Sequence, residues 1–566
     1  MAEQGNEAGR RRGLWFPLAV IALFVVGLGG LWLLMPGWER DLRIAITMGA
    51  TALMGLVLAC WFCFFSPFSL WLRLPLTLLG ATGVALFSAF FRVEFNGDLT
   101  PVGIYRQGDM SHDDHVVAHR ESLASKSIPD GFVIDPTIGK DDYPRYLGPG
   151  LDGIIEGPEL ATQWEGDTPP MLWRQPVGGG YASFAVAGNI AVTLEQRHEN
   201  EAVVCYDRQT GHELWAHAYP ARFEDPMGGD GPRSTPTLFD GKVYSFGATG
   251  IFCCLDAKSG DLLWQKDTLA ENGSKNISWG LSSSPLIHKS LVIVAPGSST
   301  PKSLGQAIIA YDHDTGEKVW SVGNEPAGYS SPMIATLAGQ TQLILFDGIG
   351  LAGYDLGEHR ELWRFPWRTY EQINVAQPML LDKDQVLISS GYGMGGAVLK
   401  IRPENGIWKP EPQWEAKTVR CKFTSPIVHN GYAYALDNGI LGCVDVETGK
   451  RMWHKRGDRF GHGQVILSGE TLVIVTESGE VVLVEATPEE YRQLAKFQAI
   501  EGRTWNCPAL ADGYLYIRNH LEMACYNLAA SRRESPSSEV LPTADPGEST
   551  KKLPPKITDR GPKVPK

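Results

Sequence analysis

Three observations predict the fold. A pattern that ends in tryptophan recurs along the chain, a Ser/Thr-Pro element lies between its copies, and three long apolar runs precede both. Together they indicate an all-β, eight-bladed β-propeller of four-stranded antiparallel blades, preceded by three transmembrane α-helices.

The apolar runs come first. Leu14–Met35, Ile44–Phe65 and Leu74–Phe91 approach or reach the roughly 20 residues that a bilayer crossing needs. Trp15, Trp32, Trp38, Trp61 and Trp71 stand near run ends, where indole prefers the membrane interface. A cleaved signal peptide fits the first run poorly, because no small-x-small site follows and two more runs come after. Residues 1–92 therefore read as a membrane module. Arg10, Arg11 and Arg12 hold the start of the chain in the cytoplasm, and three crossings place the remainder outside. Arg40, Arg43 and Arg92, on the outer side, run against that rule.

Residues 93–165 read as a linker and lead-in. Within them SHDDHVVAHRESLASK forms a short polar helix with His115 and His119 at i, i+4 spacing. Such spacing can hold a metal, but the polar composition favours a solvated helix beside the membrane. The propeller occupies 166–531, and the Pro-, Ser- and Lys-rich tail 532–566 reads as disordered.

The repeat copies are CYDRQTGHELW (205–215), CLDAKSGDLLW (254–264), AYDHDTGEKVW (310–320), CVDVETGKRMW (443–453) and the looser GYDLGEHRELW (353–363). Degenerate versions end at Trp414 and near Phe497. The period, about 40–55 residues, is that of propeller blades. The Asp caps a tight turn by accepting backbone N–H groups two residues on, Gly supplies positive φ, and Trp packs on the next blade. Before each copy lies a Pro-containing inner strand, as in RSTPTL, SSSPLI, YSSPMI, VAQPML, FTSPIV and NCPAL, with weaker forms YASFAV and HGQVIL. That makes eight inner strands but only seven complete blades. Met171–Val177, which carries Trp173 without an inner strand before it, supplies the missing outer strand of the eighth blade and removes an open edge.

The blade motifs and the lead-in YPRYLGPGLDGIIEGPELATQWEGDTPPMLWRQPVGGGYAS resemble the PQQ-like β-propeller repeat family of the quinoprotein alcohol dehydrogenase-like superfamily. That family includes eight-bladed quinoprotein alcohol and glucose dehydrogenases and cofactor-free, BamB-like scaffolds. The resemblance is specific for fold and nearly silent on function.

A net charge of −13 argues against a nucleic-acid partner. The adjacent Cys253 and Cys254 resemble the vicinal disulfide of some quinoprotein dehydrogenases. Their register opposes that reading. Cys254 stands at the motif position that is also Cys205, Cys443 and Cys525, a small packing site, and Cys253 points to the other face of the strand. Adjacent Cα atoms are also closer than a disulfide normally allows.

A ligand would bind at the channel mouth, where blades offer Tyr181, Arg233, Ser282, Tyr329, Val375, Phe423, His462 and Trp505, with Trp279, Asn374, Lys422 and Asn506 close by. The candidate cofactor-binding residues are Arg233, Trp279, Tyr329, Asn374, Lys422, His462, Trp505 and Asn506. Aromatic faces with Arg233 and Lys422 can hold a planar carboxylated ring, and His462 can act as base. The resemblance further requires Ca²⁺ held by a Glu, an Asn and an Asp, plus an Asp base. No Asp or Glu stands at the eight mouth positions, and bulky channel filling explains the aromatics equally. The sequence therefore favours a membrane-anchored, extracytoplasmic (periplasmic) scaffold in the inner membrane that binds a protein or envelope partner, with no cofactor or metal. The alternative is a dehydrogenase for alcohols or sugars that uses PQQ with Ca²⁺ and passes electrons to membrane quinone. A sensor of sugars or polymers is a third reading.

Overall fold

The computed structural model describes residues 2–35, 37–124, 131–382, 384–455, 457 and 459–530; the 532–566 tail lies outside them. Three helices, α1 (Ala2–Leu34), α2 (Arg40–Phe64) and α3 (Leu70–Phe90), lead the chain. Trp15–Leu34, Arg40–Phe64 and Leu70–Phe90 are each long and apolar enough to cross a membrane. The last two begin four residues earlier than the apolar runs, because Arg40, Asp41 and Arg43 of α2 continue the helix beyond its apolar part. A hairpin of β1 (Phe91–Phe95) and β2 (Pro101–Arg106) and a helix α4 (Ser111–Ala124) follow.

Eight sheets make the propeller. Seven are built from consecutive strands, running from Ala185–Pro220 to Gln464–Gln498. The eighth joins Ala509–Ala511, Tyr514–Arg518 and Glu522–Asn527 to β4 (Met171–Pro176), with Trp173 opposite Cys525. The ring is thus closed by an early strand, as the odd copy at Trp173 requires. The seventh blade gains a fifth, parallel strand, β3 (Ile154–Ile155).

The motif works as its chemistry dictates. Asp207 Oδ1 accepts from the backbone N–H groups of Gln209 (3.0 Å) and Thr210 (2.7 Å), and Asp256 and Asp312 repeat the arrangement. The turn glycines Gly211, Gly260, Gly316 and Gly449 have φ of 68–76°. A Cβ on any of them would press into the indole of the preceding blade, Trp173, Trp215, Trp264 or Trp414. Each of those indoles also donates to a carbonyl of the next blade, for example Trp173 Nε1 to Arg208 O at 3.2 Å. The looser copy is informative. His359 takes the glycine position at φ 50°, and Trp320 stacks on its ring at 4.9 Å. Trp363 faces a blade with a tight Asn405-Gly406 hairpin instead of the Asp-capped turn, and its indole bonds Gln342 Oε1 at 2.8 Å. In the seventh blade Ala495 takes the tryptophan position, opposite Leu483. There Trp164 from the lead-in meets Phe497 edge-on at 5.4 Å.

The Ser/Thr-Pro element has a role beyond starting a strand. The backbone N–H of Ser183 donates to Thr235 Oγ1, that of Thr235 to Ser284 Oγ, and that of Ser284 to Ser331 Oγ. The chain of bonds continues from Ser331 to Gln377 Oε1 and from Gln377 to Ser425 Oγ. Gln464 bridges the carbonyls of Phe423 and Trp505, and Asn506 closes the belt onto those of Gly180 and Ala182. At Thr235, Ser284, Ser331, Gln377 and Ser425 the residue before the proline is polar because it ties its blade to the previous one. Before Pro508 that position is Cys507, and Asn506 makes the tie.

Cys253 and Cys254 are both free and buried. They point to opposite faces of their strand, Cys253 into the core shared with the first blade and Cys254 into that shared with the third. Burial pushes both thiols up to about 12.

The helix α4 departs from the sequence expectation. It is docked rather than solvated: Val116 is buried, His112 Nε2 lies 2.8 Å from Val177 O, and Arg120 pairs with Glu213. Its histidines belong to no metal-type cluster among the described residues.

Candidate functional site

The inner strands start around one end of the central channel, and a chamber of about 340 Å³ lies there. Seven of the eight mouth positions line it: Tyr181, Arg233, Ser282, Tyr329, Val375, Phe423 and Trp505. Trp279 and Lys422 line it as well, and the belt hydroxyls of Thr235, Ser284 and Ser331 stand deeper. The lead-in crosses the far end of the inner strands, where Pro144 O and Gly153 O accept from Leu238 and Leu467. Its Tyr146 also lines the chamber.

Asp41 of α2 and Asn96, Gly97 and Leu99 of the β1–β2 turn complete the lining. The start of α2 and the β1–β2 hairpin that follows the membrane module thus cap the mouth, and charge holds them there. Lys422 Nζ, whose side chain is 3% exposed, reaches Asp41 Oδ2 at 2.6 Å and Gly97 O at 2.8 Å. Asp98 receives Arg459 at 2.7 Å, His462 at 3.0 Å and Arg40 at 3.4 Å. Hydrogen bonding and charge from His462, with Arg459 and Lys422, outweigh burial and hold the Asp98 carboxyl down at about 2. Glu477 accepts from the Gly97 backbone N–H (2.6 Å) and from Trp505 Nε1 (2.7 Å). Arg503 pairs with Glu94 at 2.9 Å, donates to Phe95 O, and lies over the Trp505 ring. Gly97 must be glycine here, because a Cβ would fall 2.4 Å from the His462 ring.

The other sequence candidates have settled roles. Arg233 donates to the carbonyls of Gly228, Gly229 and Gly231 and stacks on Phe223 at 4.6 Å. Asn374 is wholly committed: its amide donates to Asp347 O and Trp367 O, and its oxygen accepts from Ser390. Asn506 serves the belt, leaving its Oδ1 without a partner among the described residues. His462 is 2% exposed and locked on Asp98. Asn374 and Asn506, near the mouth register, and His462, the eighth mouth position, are not part of the chamber lining.

The residues present do not fit a quinone held by calcium. Of the two candidate asparagines, Asn374 Oδ1 accepts from Ser390, and only Asn506 Oδ1 is without a partner among the described residues. Among the described residues no three His, Cys, Asp or Glu side chains converge in metal-holding fashion. Lys422 is already neutralised by Asp41. Sequence reasoning missed Asp41, Glu94, Asp98, Glu477 and Arg503. Asp41, Glu94 and Asp98 lie outside the repeat and carry no register. Arg503, two residues before Trp505, was within reach of the alignment.

A family model described as outer membrane protein assembly factor BamB matches residues 161–298, 199–455 and 414–490, together more than half of the chain. The dehydrogenase subunit of alcohol dehydrogenase (quinone) from Gluconacetobacter polyoxogenes is 25% identical over 286 residues, 43% of this chain and 36% of that protein. The match therefore spans about a third of that relative's length. Outer membrane protein assembly factor BamB of Moranella endobia (strain PCIT) is 20% identical over 349 residues, 59% of this chain and 73% of that protein. Among solved structures, quinohemoprotein alcohol dehydrogenase from Comamonas testosteroni aligns with a TM-score of 0.48 at 11% identity, covering 76% of this chain and 86% of that one.

Proposed function

The chain belongs to the PQQ-type propeller repeat family described as outer membrane protein assembly factor BamB, and on that basis we propose that it is a membrane-anchored scaffold that binds protein or envelope ligands. The observation that carries this reading is the capped mouth. The cation nominated to anchor a carboxylated cofactor, Lys422, is spent on Asp41 and Gly97 O. Arg233 is spent largely on three backbone carbonyls.

We place the propeller on the extracytoplasmic, periplasmic side of a multi-pass inner-membrane anchor. Support comes from Arg10–Arg12 before the first span. The start of α2 and the end of α3 both lie at the capped mouth, so an odd number of crossings separates the propeller from the first residues.

The dehydrogenase alternative draws on the similarity to quinone-dependent alcohol dehydrogenase subunits. The test uses the full chain in detergent, incubated with PQQ and Ca²⁺ and then desalted. The scaffold reading expects no retained quinone absorbance and no dye reduction with alcohols or sugars. Retained cofactor with turnover overturns it. Crosslinking in native membranes, with identification of the adducts, tests the positive half, and a propeller that crosslinks to nothing counts against it.

A further inference from the structure

The chamber beneath the cap combines an aromatic wall with buried hydroxyls. Trp279 and Tyr329 form one aromatic group, with ring centres 6.2 Å apart; Phe423 and Trp505 form another, at 4.8 Å. The belt hydroxyls lie deeper. Those of Thr235, Ser284 and Ser331 each accept a backbone N–H from the preceding blade, so each retains a proton to donate. Ser183 Oγ, in the same lining, is 1% exposed and has no partner among the described residues. A buried hydroxyl without a partner costs about 1–3 kcal/mol. It is therefore an independent sign that something polar belongs there.

We propose that this chamber binds a pyranose ring, the unit of a neutral or uronic saccharide, and that the membrane hairpin completes the site. The assignment rests on the ligand-binding reading given above. A pyranose presents an apolar C–H face to an aromatic wall and a rim of hydroxyl oxygens to donors. The chamber offers both surfaces within a volume of about 340 Å³, inside the range of small-ligand pockets, about 300–1,000 Å³. Charge narrows the choice. Lys422 is matched by Asp41, whereas Arg233 lines the chamber with three of its N–H···O contacts on carbonyls and the charges of Asp225 and Asp230 acting on it from farther off. Its remaining donors suit a pair of vicinal hydroxyls or one carboxylate. A ring with several carboxylates would exceed that supply.

The experiment uses the full chain in a detergent without sugar headgroups. Saturation-transfer NMR is recorded with glucose, N-acetylglucosamine, glucuronate and cellobiose, with open-chain mannitol and with PQQ. Transfer from one or more pyranoses, concentrated on the ring C–H protons and absent from mannitol, is the expected result. Trp279→Ala should weaken binding at least about tenfold, or about 1.4 kcal/mol. Trp279→Phe should retain most of it. Trp279 lies in a loop outside the strands, and an unchanged unfolding transition confirms that the variants are folded.

No transfer from any pyranose, equal transfer from mannitol, or indifference to Trp279→Ala overturns the assignment. If the quinone test also shows no turnover, the scaffold reading survives and the chamber holds solvent only. Binding of PQQ with turnover, in place of the pyranoses, overturns both.

Discussion

The cap can be unlatched by one substitution. Lys422→Met removes the cation that holds Asp41 of α2 and Gly97 O of the hairpin turn, with its side chain 3% exposed and that of Asp41 16% exposed. Breaking a buried pair from one side costs about 3–5 kcal/mol, because the surviving charge stays desolvated. The partial exposure of Asp41 puts the loss near the lower end, about 3 kcal/mol. This cost falls on docking of the cap rather than on the ring, whose blades are tied by their own belt. Hydrogen exchange of residues 91–106 reads it directly, since the Gly97 amide donates to Glu477 only while the cap is seated. At about 1.4 kcal/mol per decade, exchange there should accelerate about a hundredfold, with blade amides unchanged. Asp41→Asn should act similarly, leaving Lys422 buried without its counter-charge. The double variant Lys422→Met/Asp41→Asn should return to within about tenfold of the parent, because no unpaired charge remains. Slow exchange in both single variants, or single effects that simply add in the double, would refute the latch.

Trp173→Ala should cost about 3–5 kcal/mol of unfolding free energy, since its indole seats the closing strand on the Gly211 turn of the next blade; a loss below about 1 kcal/mol in denaturant titration would contradict closure by that strand. Cys253 and Cys254, with thiols pushed up to about 12, should resist alkylation in the native chain near neutral pH. Stoichiometric labelling, or a disulfide between them found by mass spectrometry, would restore a redox role. Glu201, fully buried against Tyr219 and the Ala248 amide, has its carboxyl pushed up by desolvation to about 7. The native state therefore holds a proton that the unfolded chain has released, so this group's contribution to stability falls as pH rises from about 4.5 to 7, by on the order of 3 kcal/mol. Glu201→Gln should flatten that slope, and a variant as pH-sensitive as the parent would show that the carboxyl is not the source.

Two kinds of information shape this molecule, and only one is periodic. The ring was legible because every blade restates it. Asp207, Gly211 and Trp215 carry the same instruction as Asp256, Gly260 and Trp264, so a loose copy such as the one with His359 could still be placed by register. Even the closing strand could be found, since a tryptophan copy without an inner strand has to complete some other sheet. The mouth positions inherited that legibility, and seven of the eight line the chamber. Register could not assign side-chain partners: Asn374 and Asn506 lie near the mouth in sequence, yet their amides serve backbone carbonyls.

The cap was illegible for a different reason. Asp41, Glu94 and Asp98 come from single-copy sequence, separated by more than three hundred residues from Lys422, Arg503 and His462. Nothing local marks an acid beside a membrane span as the counter-charge of a distant lysine. What the repeat did reveal was the unanswered half of the arrangement: basic residues at a channel mouth whose eight positions contained no acid. A buried lysine and a buried arginine require compensation from somewhere. With none at those eight positions, the acids had to come from a ligand, from loops of the ring such as that of Asp225 and Asp230, or from another part of the chain. Asp41 of α2 and Glu94 of the hairpin supply them at Lys422 and Arg503, whereas Arg233 bonds carbonyls and stacks on aromatic faces, with Asp225 and Asp230 acting on it only from farther off. That asymmetry is why the chamber, rather than the ion-paired rim, is where a ligand has something left to bind.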